Sequence, residues 1–379
     1  MRTALLYAGF ALTGVVTTML GPMLPTLISA WSIDDARAGG LFTAQFTGAL
    51  VGLAVTSALL GRLGVTRVIV VGFAVVALGV IGLAAGGWPA GAAAVFAYGA
   101  GLSLVIPTIN LHVAETNPER RAEALNVLNF VWGAGALVSP FLVRGLGRFG
   151  LVAPLAVFSF ASAAVAAALA AAPADEAPRK ADVAGPRPRA WRDPLLALVC
   201  AISYLYVGAE NAVSGWVVAY VERRETAPAF AGALAFSLFW GALLVGRAAA
   251  PLALRLTTGP RLVLAGAVVA TAGAAALPAV AHWAAVAAAA AVAGLGFATI
   301  LPTTFATFME HFGERAERVV SLVFVSSTLG GATLPWCVGA VSARTGDLRA
   351  GLLVPVAACL AMVALQVCVI AALRENRSP

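Results

Sequence analysis

Twelve stretches of nearly unbroken apolar sequence divide the chain, at 4–31, 38–60, 67–86, 89–114, 122–143, 150–172, 195–221, 229–254, 261–281, 284–309, 318–342 and 350–373. Runs such as Val68 to Ala85 and Leu155 to Ala172 are apolar on every side. A strand of a membrane barrel would instead alternate apolar and polar residues over about ten positions, so the pattern predicts helices. Each run approaches or exceeds the roughly 20 residues that a helix needs to cross hydrocarbon. The first follows Arg2 and is too long for the apolar core of a cleaved leader, so it reads as a span. Six runs lie on each side of one polar interval, Pro173 to Asp193. That interval holds Asp175, Glu176, Arg179, Lys180, Asp182, Arg187, Arg189 and Arg192 among several prolines, cannot enter lipid, and reads as a flexible linker. The expected architecture is an all-α integral membrane protein of twelve transmembrane helices. Two six-helix bundles, 1–172 and 194–379, are joined by a cytoplasmic linker at 173–193.

The two halves repeat each other. At an offset of 195 residues Gly99 and Gly101 meet Gly294 and Gly296, Pro107-Thr108 meets Pro302-Thr303, and Glu115 meets Glu310. At the same offset Glu119-Arg120 meets Glu314-Arg315, Gly135 meets Gly330, and Pro140 meets Pro335. At an offset of 193, Gly48-Ala49-Leu50 meets Gly241-Ala242-Leu243 and Arg62-Leu63 meets Arg255-Leu256. Spans 2, 4 and 5 thus correspond to spans 8, 10 and 11. Six spans, an even number, separate equivalent positions, so the repeats are parallel in the membrane.

Composition agrees. Of 379 residues 61% are hydrophobic and 11% charged, with a mean hydropathy of +0.94. A water-soluble domain carries about 25% charged residues, so this chain cannot build an aqueous surface. The net charge of +7 and pI near 9.8 raise the question of nucleic acid, but the arginines lie dispersed between apolar runs and form no basic stripe. They sort by side instead. With both termini cytoplasmic, the inner loops hold sixteen Lys and Arg and the outer loops seven, with Arg247 left inside a span. The expected location is therefore the cytoplasmic membrane, in contact with the lipid bilayer and no nucleic acid, with a monomer as the simplest assembly. Cys200, Cys337, Cys359 and Cys368 all fall in apolar runs at no metal-ligand spacing, and neither a metal nor a cofactor is expected.

On these features the chain resembles the major facilitator superfamily over its whole length, and within it the fucose permease and glucose/mannitol group of sugar transporters. The closer likeness lies in Gly99 to Asn110 with its Gly-x-Gly and Pro-Thr-x-Asn, Ala124 to Pro140, Tyr206 to Tyr220, Phe239 to Arg247, and Gly294 to Pro335. The resemblance implies secondary transport of a small polar solute, a sugar or a sugar-like compound, by alternating access, with a proton or sodium ion as coupling partner. Two features depart from the family. Gly61 stands where the loop between spans 2 and 3 usually carries an aspartate. Fucose-type proton symporters are expected to bury carboxylates in spans 1 and 4, whereas span 1 here has none and span 4 only Glu115, near its end.

Ionisable groups at membrane depth are functional candidates because burying one costs on the order of 3 kcal/mol or more. Glu210 is the only acidic one in mid-span. It lies about 15 residues, roughly 22 Å, into span 7. Tyr206 and Ser214 share its helical face at four-residue spacing, Ser203 lies a turn further along, and Asn211 is adjacent. This polar stripe suits substrate hydroxyls or a bound proton or sodium ion; the alternative is a bridge to a neighbouring helix. Arg247 is the obvious partner, but counting residues puts the two about 12 Å apart in depth. Arg247 is therefore expected to snorkel toward the inner surface or cap a helix end.

Asn126, Asn129 and Gly133 place two amides and a bare backbone patch on one face of span 5, suited to a polyol or equally to interhelical bonds. Gln45 on span 2, Asn110 on span 4, and Trp132 and Trp240, whose indoles offer a stacking face for a sugar, complete the substrate candidates. Thr299, Thr303 and Thr307 are expected to bond their own helix. Glu115, Arg120, Arg121, Glu310, Glu314 and Arg315 bracket the paired loops after spans 4 and 10 and are candidates for a cytoplasmic gate of exchangeable salt bridges. The glycine pairs 99/101 and 294/296 are read as close helix contacts.

Three other functions compete. An exporter of amphipathic compounds fits the alanine- and valine-rich spans, and a membrane sensor without transport would need an appended signalling domain that the sequence does not display. An intramembrane enzyme is disfavoured: His112, His282 and His311 are scattered, and neither a His-Glu-x-x-His motif nor a Gly-x-Ser-x-Gly motif occurs.

Overall fold

A computed structural model describes residues 2–171, 193–224, 227–313 and 316–375. The linker up to residue 192, with Glu314 and Arg315 of the expected gate, lies outside the described residues. Every apolar run becomes helix, and the described spans form a multi-pass membrane protein. Eleven helices are long and apolar enough to cross a membrane, or twelve when a pair bent by 45° counts as one span.

That bent pair is the first span, α1 (Arg2–Thr18) and α2 (Leu20–Trp31). The tenth span also divides, into α11 (Trp283–Phe297) and α12 (Ile300–Phe312). One cause serves both. Proline has no amide hydrogen and its ring clashes with the carbonyl four residues back. Pro22 has Thr18 at that position, and Pro302 has Ala298, and these are the places where the two helices stop.

The chain forms two compact units, Met1–Ile33 with Gly40–Val183 and Asp34–Gly39 with Ala184–Pro379. The first contains α1, α2, most of α3 (Asp35–Leu63), α4 (Val65–Gly82), α5 (Trp88–Thr116), α6 (Arg121–Gly147) and α7 (Val152–Ala171). Gly64 turns α3 into α4 at a φ of +77°, a left-handed value that favours glycine. Leu6, Phe10, Phe73, Val105, Ile109 and Leu128 form the unit's packed centre. Leu78 and Phe160, in contrast, are 71% and 76% exposed, which water would penalise and acyl chains accept.

The second unit contains α8 (Pro194–Glu222), α9 (Ala231–Ala253), α10 (Gly259–Ala279), α11, α12, α13 (Ala316–Thr345), the single turn α14 (Leu348–Gly351) and α15 (Leu353–Glu375). Asp193 starts α8: its carboxylate accepts from the amide of Leu195 at 2.9 Å, and Pro194 fills the first helical position, where an amide hydrogen would be idle.

The repeat seen in the sequence reappears as matched helix crossings. A methyl group on Gly99 would fall on the carbonyl of Gln45, and one on Gly294 on the carbonyl of Phe239. Gly101 likewise meets the backbone of α4, and Gly296 that of α10. Gly135 lies on the carbonyl of Ala11, and Gly330 on that of Tyr204. Each glycine lets two backbones approach where lipid supplies no hydrophobic drive between helices.

Candidate functional site

The polar stripe of α8 closes into a cluster inside the second unit. Tyr206, with no exposed surface, donates its hydroxyl to Glu210 Oε1 at 2.6 Å. Arg247 on α9 donates from Nη2 to the same hydroxyl at 3.3 Å and stands 3.8 Å from Glu210 Oε1. Glu210 itself is buried, at 8% exposure. An acid, a phenol and a guanidinium thus share one contact point, with net charge near zero when both ions are charged. This corrects the expectation that Arg247 snorkels away. The depth estimate counted Cα positions, but side chains on a helix lean toward its N-terminus. α8 and α9 run in opposite directions, so the two side chains lean toward each other and close the gap.

Neighbouring helices fix the cluster. Tyr206 takes the edge of Phe297 at a centroid distance of 5.7 Å, and Phe297 packs on Phe239. Tyr204 Oη lies 2.6 Å from Thr333 Oγ1, and Trp216 Nε1 donates to the carbonyl of Pro335 at 2.9 Å, so α8 is held along its length by α13. The interruption of span 10 at Ala298 and Thr299 directly follows Phe297. Irregular backbone at such depth survives where protein or water satisfies it.

Arg247 also forms part of the wall of a cavity of about 640 Å³ between α9, α10, α12 and α15. Thr303, Thr307, Glu310 and His311 supply its other polar surface. His311 Nε2 lies 3.1 Å from Asp193 Oδ2, so the last turn of α12 and the cap of α8 share one end of the bundle. This pair was not foreseen, since neither residue stands in a motif.

The remaining candidates are less directly engaged. Ser214 donates to the carbonyl of Glu210 at 2.8 Å and Asn211 to that of Val207 at 2.8 Å, so both serve their own helix. Trp240 is buried in an aromatic group with Phe236 and Phe239. In the first unit Gln45 donates to the carbonyl of Thr17 at 3.0 Å and accepts from Tyr98 Oη at 3.4 Å, tying α3 to its neighbours. Asn110 bonds Ile106 and Asn129 bonds Leu125, each four residues back along its own helix. Asn126 and Asn129 lie on an exposed face of α6, and Trp132 packs at the edge of the unit's core. Among the gate candidates that are described, Glu115, Arg121 and Glu310 are exposed, and Arg120 stands 3.9 Å from Glu123 within a single helical turn. Thr307 bonds Thr303 as expected, at 3.0 Å.

Sequence reading missed a second polar cluster in the second unit. Asp35, in the short Asp34–Gly39 segment, receives Arg223 through two bonds of 2.8 and 2.5 Å and the Ser342 hydroxyl at 2.5 Å. The only sequence signal was an acid in the first turn of α3, which also suits the helix dipole there.

A family model described as Major Facilitator Superfamily matches residues 6–335. The chain belongs to the major facilitator superfamily. This major facilitator is therefore a transporter and not an enzyme. No curated protein sequence matches it. Among solved structures, a point mutant of the nucleoside transporter NupG has a TM-score of 0.81 at 11% identity, covering 97% of this chain and 99% of that one. A point mutant of the E. coli fucose:proton symporter FucP has a TM-score of 0.64 at 17% identity, covering 96% and 97%. A D-xylose-proton symporter has a TM-score of 0.74 at 14% identity, covering 96% and 95%. At these identities the likeness to this major facilitator is one of fold.

Proposed function

We propose that this protein is a secondary active transporter of a small polar, sugar-like solute, driven by a proton that Glu210 binds and releases. The observation that carries the reading is the buried Tyr206–Glu210–Arg247 cluster in mid-span. A buried ion pair costs desolvation that its attraction barely repays, so it is weak as a structural device. It suits a site where one partner changes charge. Protonation of Glu210 cancels its attraction for Arg247 and frees the guanidinium; loss of the proton restores the pair. That alternation gives two arrangements of the second bundle, the requirement for linking an ion gradient to a conformational change. Proteins of the same fold include fucose:proton and D-xylose-proton symporters as well as a nucleoside transporter, so the fold is compatible with a sugar-like solute and a proton. The polar groups of the first unit, Asn110, Asn126 and Asn129 with Gln45, remain the proposed hydroxyl-binding set, and Trp132 the proposed stacking surface. The two bundles at 1–172 and 194–379 are the proposed moving bodies, with the linker and both termini in the cytoplasm.

Uptake of radiolabelled hexoses into proteoliposomes, with and without an imposed proton or sodium gradient, tests the reading. Accumulation driven by the proton gradient supports it. Absence of both accumulation and counterflow with every sugar would contradict it and favour an exporter of amphipathic compounds.

A further inference from the structure

Glu210 does not itself line the cavity between α9, α10, α12 and α15, yet Arg247 belongs to both the cluster and the cavity wall. We infer that this cavity is a water-filled path, internal to the second bundle, by which protons reach Glu210 from the membrane face that carries Asp193 and His311. The inference rests on the proposed proton coupling at Glu210 and adds the route that supplies it.

Three observations converge. The first is size and lining. A cavity of about 640 Å³ has room for several waters, and Arg247, Thr303, Thr307, Glu310 and His311 on its wall offer them polar partners. The second is unmet polarity at the inner end. Among the described residues, Arg247 Nε is buried without a protein partner. Such groups are costly unless water reaches them. The third is placement. Glu210 lies 16 residues beyond Pro194, about 24 Å into the helix at 1.5 Å per residue. His311, on the cavity wall, lies 3.1 Å from Asp193 at that helix's start. The cavity therefore runs from the end of the bundle, at His311, toward the cluster, at Arg247.

Arg247 is the valve. Its guanidinium bonds Tyr206 at 3.3 Å and must turn into the cavity before water can reach the phenol. A hydronium there then gives a proton to Tyr206 Oη while Tyr206 gives its own hydroxyl proton to Glu210 Oε1. The hydronium becomes water, the carboxylate becomes a carboxylic acid, and Arg247 keeps its protons throughout. The charged and titratable groups around this path are Tyr206 on α8, Arg247 on α9, Glu310 and His311 on α12, and Asp193 at the mouth. α11 contributes the apolar Phe297. Among the described residues α13 and α15 place no ion pair on Glu210.

The test places a removable block in the path after folding. Ala306, on the cavity wall, is replaced by cysteine. Membrane vesicles with the linker face outward are treated with the impermeant sulfonatoethyl methanethiosulfonate, and wild type treated in parallel controls for Cys200, Cys337, Cys359 and Cys368. Leu78→Cys, on an apolar exposed face, reports whether the charged reagent enters lipid. Expected is reaction at residue 306 and not at residue 78, then at least a tenfold fall in proton-driven accumulation of labelled D-glucose, D-mannose or L-fucose. Counterflow of the same sugar stays within twofold, and reductant restores accumulation. Three results overturn the path: no reaction at residue 306, reaction with accumulation unchanged, or accumulation and counterflow falling together. If untreated wild type accumulates none of the three sugars under a proton gradient, the coupling reading fails first, and reaction or no reaction at residue 306 still decides whether the cavity admits water.

Discussion

The proposed coupling concentrates in three side chains, Tyr206, Glu210 and Arg247, that share one contact point. Glu210→Gln keeps the shape and removes the charge change, so gradient-driven accumulation should vanish while counterflow and membrane insertion persist; unchanged accumulation in proteoliposomes would remove Glu210 from coupling. Arg247→Met should destabilise the protein by about 2 kcal/mol, because it strands a buried carboxylate, the figure being reduced for the partial exposure of the arginine. Adding Glu210→Gln should recover most of that loss, a coupling visible in a double-mutant cycle of thermal midpoints in detergent. An additive pair would mean that the 3.8 Å contact carries no energy. Asp35→Asn should cost about 1 kcal/mol by removing the charge and one of the two acceptors that hold the half-exposed Arg223, read in the same melting assay. At this scale the sequence was only partly legible. It singled out Glu210 and its Tyr206 neighbour, since four-residue spacing is a property of one helix. It placed Arg247 elsewhere, since the meeting of two helices depends on side-chain lean and on register between them. The pairs Asp35–Arg223 and Asp193–His311 join residues 188 and 118 positions apart, and no local pattern carries that information.

Among the elements, the glycines and prolines decide where helices meet and stop. Gly330→Ala and Gly135→Ala should each cost about 1–3 kcal/mol, because the added methyl falls on a facing carbonyl. Gly145→Ala, with open space around it, should be neutral or slightly stabilising. Size-exclusion profiles and thermal midpoints of the three variants check this, and equal behaviour would refute the close-crossing account. Most of this was readable beforehand. Twelve apolar runs gave the spans, because a helix in lipid must satisfy its own backbone and so needs a continuous apolar length. The offset of 195 residues paired Gly135 with Gly330 and Gly99 with Gly294 before any crossing was known. The divisions of the first and tenth spans were less visible. Pro25, Pro107, Pro140 and Pro335 also lie inside helices and do not divide them, so a proline in the sequence does not by itself announce a break.

For the whole molecule, the sequence sufficed to recognise a major facilitator, since charge bias, twelve spans and a parallel repeat are all global counts. It did not disclose the cavity of about 640 Å³, whose walls come from α9, α10, α12 and α15 and whose existence depends on how four helices diverge. The arginine count predicts cytoplasmic termini, and the prediction is open to a direct check: a reporter fused after Pro379 should be active only in a cytoplasmic form, and activity of an exported form would invert the topology. The central claim is that a buried carboxylate exchanges a proton as solute moves. Its most direct measurement is the proton flux itself, recorded by a pH-sensitive dye trapped in proteoliposomes when sugar is added outside without any imposed gradient. Wild type should acidify the lumen in step with sugar entry, and Glu210→Gln should admit sugar down its gradient with no change in dye signal. Sugar entry with no acidification in wild type, or equal acidification in both proteins, would contradict the account.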